Sequence, residues 1–160
     1  MSIRDFLSSR LVFADGGFGS LLIERGFPGG VPEEWNLSHP DAVESIHRDY
    51  FRAGSDIVNS NTFGANRLHY PDPAELEAVV RAGVRLVREA REQAGRADGF
   101  VALDIGPTGR LLKPMGDLDF EEAVALFGEM ARWGEAAGAD LALIGMKHLF
   151  LQIEQVFPLP

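Results

Sequence analysis

Short apolar runs alternate with amphipathic stretches along this chain, and that alternation restricts the folds open to it. Residues 11–15 (Leu-Val-Phe-Ala-Asp), 56–59 (Asp-Ile-Val-Asn), Phe100–Ile105 and 139–144 read as strands. Helices are predicted between them. Ser38-His39-Pro40-Asp41 reads as a helix start, with Ser38 as cap, Pro40 in the first turn and Asp41 closing a capping box. Val43, Ile46, His47, Tyr50 and Phe51 follow at helical spacing, and Gly54 supplies a C-terminal cap. Asp72-Pro73-Ala74-Glu75 repeats the start signal ahead of the stripe Leu76, Val79, Val80, Val84, Val87 and Ala90. Asp119 opens a third helix with Val124, Phe127, Met130 and Trp133 inward, while residues 26–37 read as a long Gly- and Pro-containing loop. Uninterrupted apolar strands separated by helices predict an α/β fold with a parallel sheet covered by helices.

Composition narrows the function classes. The chain has 160 residues and a formal net charge of -9, so no nucleic-acid partner is expected, because such proteins carry a basic face. It has no cysteine, hence no disulfide and no thiolate metal site. Neither a signal peptide nor a membrane-crossing run is apparent, and a cytoplasmic protein without membrane partners is expected. Asn36-Leu37-Ser38 fits a glycosylation sequon and is read as chance. None of His39, His47, His69 and His148 has zinc-ligand spacing, and His47 is expected to be packed and hydrogen-bonded.

The strand exits carry the candidate chemistry. In Ala14-Asp15-Gly16-Gly17-Phe18-Gly19-Ser20, the glycines permit unusual backbone conformations and close approach of a ligand to the amides. The dinucleotide fingerprint fails, since its third glycine falls on Leu22, and no lysine is placed for a phosphate loop. Amides that suit a carboxylate, beside an Asp15 that suits an ammonium, can hold an amino-acid head group. The alternative is a plain tight turn in which Asp15 caps a local N–H. Asn59, Asn61, Thr62 and Thr108 follow later strands, and in parallel α/β folds such exits converge on one mouth.

"ADGGFGSLL", "EEWNLSHPDAVESIHRDYFRAGSDIVNSNTFGAN" and "DIGPTGRLLKPMGDLDFEEAVALF" resemble the homocysteine-binding domain of the homocysteine S-methyltransferase family. The resemblance implies a (β/α)8 TIM barrel and methyl transfer to the homocysteine thiol in methionine synthesis. It implies a zinc ion held by cysteines, and methylcobalamin, betaine or S-methylmethionine as donor. Carried over by residue, it places the amino-acid end at Asp15 and the backbone of Gly16, Gly17 and Phe18. With the polar exits Asn61, Thr62 and Thr108, these form the expected substrate site.

The chain departs from that pattern. The family's zinc cysteines lie in the second half of the barrel and have no counterpart here. A glutamate the family carries after its fourth strand gives way to Gly145-Met146-Lys147. A full barrel needs about 250 residues. Residues 1–144 are therefore expected to form roughly the N-terminal half of the barrel, with 145–160 a divergent tail. That tail lacks Arg, Ala and Asp. It reads either as a shifted frame or as a short helix with Leu149, Ile153 and Val156 inward. Open half-barrel edges predict a homo-oligomer. A truncated chain is expected not to complete the reaction alone. The alternative is a non-catalytic amino-acid-binding or structural remnant of the family.

Overall fold

The computed structural model describes residues 3–27 and 30–145. Helix α1 (Ile3–Ser9) precedes an extended segment, and α2 (Phe18–Glu24) follows the glycine loop. A 3-10 turn (Pro32–Glu34) runs into the short helix α3 (Trp35–Ser38). Then come α4 (Pro40–Ala53), β1 (Ile57–Asn59), α5 (Pro73–Gln93), β2 (Phe100–Ile105), α6 (Phe120–Ala137) and β3 (Leu141–Ile144). The three strands form one parallel sheet in the order β1-β2-β3, with Ile57 opposite Phe100 and Ala102 opposite Leu141.

The predicted stripe of α5 is buried throughout, from Leu76 to Ala90, against Val58, Val101, Leu103 and Ile105 of the sheet. Side chains alternate across a strand. Asn59, Ala102 and Asp104 therefore point away from the helices, towards the sheet's other face. Asp72 caps α5 by accepting from the Ala74 amide at 2.9 Å. Gly54 closes α4 with φ of 108°, a left-handed conformation that glycine adopts without strain.

Several local expectations are corrected. Residues 11–15 make only a single bridge to the sheet, Ala14 to Ile57. The Phe13 amide is drawn instead to the buried Asp56 carboxylate at 3.0 Å, and Leu11 and Phe13 are exposed. Asp56 also pairs with Arg10 and Arg96, and three backbone bonds, from Asp15 to Ile57 and from Asp56 and Ile57 to Phe13, complete a fastening too short to make a strand. Burial alone would raise the Asp56 pKa, but the Phe13 amide and the two arginines outweigh it and hold the group below its ordinary value. The loop predicted at 26–37 contains the 3-10 turn and α3, anchored by fully buried Asn36. Asn36 donates to the carbonyls of Asn61 at 2.8 Å and Val79 at 3.2 Å, so the sequon asparagine is a structural strut.

Ser38 does not cap α4. It ends α3 and donates back to the Glu34 carbonyl, leaving His39 at the cap position. Asp119 stands at the cap position of α6, but its carboxylate accepts from the Lys113 ammonium instead. In α6, Met130 is buried and Phe127 and Trp133 pack on the core, whereas Val124 is exposed. The tail from residue 146, with the expected helix through Leu149, Ile153 and Val156, lies outside the described residues, as does His148.

Candidate functional site

The exits of the extended segment, β1 and β2 border one cavity of about 300 Å³. That is the lower end of the range for small-ligand sites. Asp15, Gly16 and Phe18 form one wall, Asn59 and Asn61 a second, and Glu33, Phe63 and Asp104 close it. Three carboxylates thus face a common space.

Each acid is held differently. Asp15 accepts from the Asn59 amide at 2.9 Å and from the Asn59 side chain at 2.7 Å, one bond to each oxygen. Burial raises its pKa despite these bonds. Glu33 is buried and accepts from the Gly64 amide at 2.5 Å. A Cβ on Gly64 would lie 2.8 Å from that carboxylate, so the contact depends on glycine there. Asp104 is fixed through its backbone, its amide donating to Ser60 Oγ at 3.1 Å and its carbonyl accepting from Thr62 Oγ1 at 2.7 Å. Burial, then the charges of Asp15 and Glu33, push the Asp104 carboxyl up to about 7.

The glycine loop uses its glycines for space rather than for unusual dihedrals. None of Gly16, Gly17 and Gly19 has a positive φ, and Gly17 sits at -64°. A Cβ on Gly16 would come within 3.2 Å of the Tyr50 hydroxyl, which reaches over the loop to the Gly17 carbonyl at 3.3 Å. Gly17 precedes the first turn of α2, which has no side-chain cap. First-turn amides lack intrahelical acceptors and favour anionic groups.

The predicted residues divide into three groups. Asp15, Gly16, Phe18 and Asn61 line the cavity together, and Gly17 stands directly behind them in the same loop. Asn61 also donates to the Pro32 carbonyl and to Asn36 Oδ1, so it ties the β1 exit to the 3-10 turn. Thr62 is fully buried beneath the floor and shares a 2.7 Å hydrogen bond with Ser60. Thr108 lies elsewhere. It lines a second cavity of about 300 Å³ between the loops that follow β1 and β2 and helix α6, and its hydroxyl serves its own turn at Arg110.

Glu33 and Asp104 are the residues that sequence reasoning missed. Glu33 stands in what reads as a loop, and Asp104 interrupts an apolar strand. The second carried a usable signal, because a lone acid in a buried parallel strand has to face something polar. His47 is packed but not hydrogen-bonded. It is fully buried, stacks on Phe18 at 4.8 Å between ring centres, and neither ring nitrogen has a partner. Burial lowers its pKa to about 3.

The acidic, glycine-rimmed pocket at the strand exits of this parallel α/β sheet has a charge that suits small cationic or zwitterionic ligands. The homocysteine S-methyltransferase family model matches residues 12–157, and the chain belongs to that family. It is 30% identical over 165 residues to methionine synthase of Mycobacterium tuberculosis, covering 95% of this chain and 14% of that protein. Identity to the Mycobacterium leprae methionine synthase is 29% with the same coverage. The metallated form of the homocysteine methyltransferase MmuM from Escherichia coli superposes with a TM-score of 0.79 at 23% identity, over 96% of this chain and 60% of that one. The sheet and helices therefore correspond to part of such a methyltransferase fold, and the chain spans only part of each relative.

The residues present do not fit the family's metal. The sequence has no cysteine, and the described residues hold no group of three or more His, Cys, Asp or Glu side chains able to bind an ion. No described helix is long and apolar enough to cross a membrane.

Proposed function

We propose that this chain forms the amino-acid-binding part of a homocysteine S-methyltransferase, with residues 1–144 as the N-terminal half of a (β/α)8 barrel and 145–160 as a separate tail. The substrate is homocysteine, and the reaction of the complete machinery is methyl transfer to its thiol. The observation that carries this reading is the pairing of an oriented carboxylate, Asp15, with the first turn of α2 that follows it, which has no side-chain cap.

Opposite charges at the two ends of an amino acid need opposite partners a few ångströms apart. Asp15 is locked by Asn59 and presents its charge without a rotamer search, so an ammonium group gains a preorganised partner. The substrate carboxylate then takes the amides of the loop at Gly16, Gly17 and Phe18. Phe18 and Phe63 are the apolar wall for the two methylenes. No step is assigned to a metal, because this chain's residues do not supply one with ligands.

Calorimetric titration of homocysteine tests the reading. Asp15→Asn is expected to weaken binding about tenfold, the size of one charge-assisted hydrogen bond. Equal affinity in the two proteins would make Asp15 a structural cap of the Asn59 amide and remove the head-group site.

A further inference from the structure

Of the three acids in the cavity, two are already committed. Asp15 has a hydrogen bond on each oxygen, and Glu33 holds the Gly64 amide. Asp104 differs, because its structural bonds run through its backbone. Among the described residues no donor is recorded on its carboxylate. Its oxygen stands in the cavity beside Phe63, and a Cβ on Gly145 would lie 3.8 Å from it. The groups whose charges act on it are Asp15, from the extended segment, and Glu33, from the 3-10 turn, both acidic.

We propose that Asp104 is a catalytic residue of this site, the acceptor for the thiol proton of the bound amino acid. This rests on the amino-acid reading above and adds a role for the third carboxylate. With the ammonium at Asp15 and the chain along Phe18 and Phe63, the thiol reaches the side of the cavity where Asp104 has free lone pairs. In methyl transfer the sulfur's electron pair forms the new S–C bond, and the donor, an onium or a metal-alkyl compound, leaves with the electrons of the heteroatom–methyl or metal–methyl bond that breaks. The S–H bond breaks, its electrons stay on sulfur, and the proton forms an O–H bond on Asp104. A carboxyl lifted by burial and by like charges is a stronger base than an ordinary aspartate, and its affinity for protons suits neutral pH.

Binding reads this without turnover. Homocysteine and 2-aminobutyrate, which lacks the thiol, are titrated calorimetrically into the chain from pH 5.5 to 8.5. Above neutrality, with Asp104 ionised, homocysteine is expected to be preferred roughly five- to tenfold, and below pH 6 the preference falls towards unity. In Asp104→Asn the preference is small and independent of pH. Carboxyl-carbon NMR of the unsubstituted protein gives a second measurement, with the Asp104 signal titrating near neutrality. A pH-independent preference in the parent, or a carboxyl titrating in the ordinary aspartate range, overturns the role of Asp104 alone. Equal loss of both ligands in Asp104→Asn makes it an ammonium partner instead. Failure of both amino acids to bind the parent removes the amino-acid reading, and with it the substrate whose proton Asp104 would accept.

Discussion

Asp104 and His47 are two ionisable groups whose surroundings favour the neutral form, and they bend the stability of the chain in opposite directions. Asp104 rises from an ordinary value of 3.8 to about 7. The folded state therefore keeps a proton that the unfolded chain loses, and stability falls as pH climbs from about 4 to about 7. His47 drops from 6.5 to about 3. The unfolded chain takes up a proton that the folded state refuses, so stability falls as pH descends from about 6.5 towards 3. Between pH 4 and 6.5 the two slopes offset. Asp104→Asn should remove the Asp104 slope, and it should stabilise the protein at pH 8 relative to the parent by about 2 kcal/mol. The open cavity beside Asp104 keeps that gain below the full value of its pKa shift. Urea unfolding at pH 5 and pH 8 measures the change; a gain no larger at pH 8 than at pH 5 would show that Asp104 is not buried against its charge.

The exits of β1 and β2 form a single mechanical unit. Gly106 follows β2, and a Cβ there would lie 2.0 Å from the Phe63 carbonyl, a contact no rotamer change can relieve. Ser60, Thr62 and Asp104 knit the same two exits together. Gly106→Ala should therefore push the β1 exit away, lower stability by roughly 2–4 kcal/mol and abolish amino-acid binding. Thermal unfolding and calorimetry on the same sample measure both; a folded variant with parental affinity would separate the Phe63 loop from the site. At this scale the sequence was most informative where one residue type has one job. Gly54 as a left-handed cap, Asp72 as an N-cap and the α5 stripe were all legible. Ser38 and Asp119 were misread because a polar side chain has several partners within reach, and the Glu34 carbonyl and Lys113 won them. Residues 11–15 were misread because Asp56, more than forty residues away, takes the Phe13 amide.

Across the whole molecule, local signals placed the sheet and its covering helices, and the glycine loop marked one wall of the pocket. Glu33 was not legible, because its place depends on a glycine thirty-one residues on along the chain. Thr108 was assigned to the mouth from its position after β2, but it lines a separate cavity with residues 65–68 and α6 instead. What unites Asp15, Glu33, Asn61 and Asp104 is the parallel arrangement of the sheet, which brings separate exits to one end. The decisive measurement is a two-dimensional amide NMR titration of the 17.5 kDa chain with homocysteine. Shifts should concentrate at Gly16, Gly17, Phe18, Asn59, Asn61 and Asp104 and leave Thr108 and Arg67 unmoved. Shifts centred on the cavity that Thr108 and Arg67 line beside α6, or none at millimolar ligand, would contradict an amino-acid site at the strand exits.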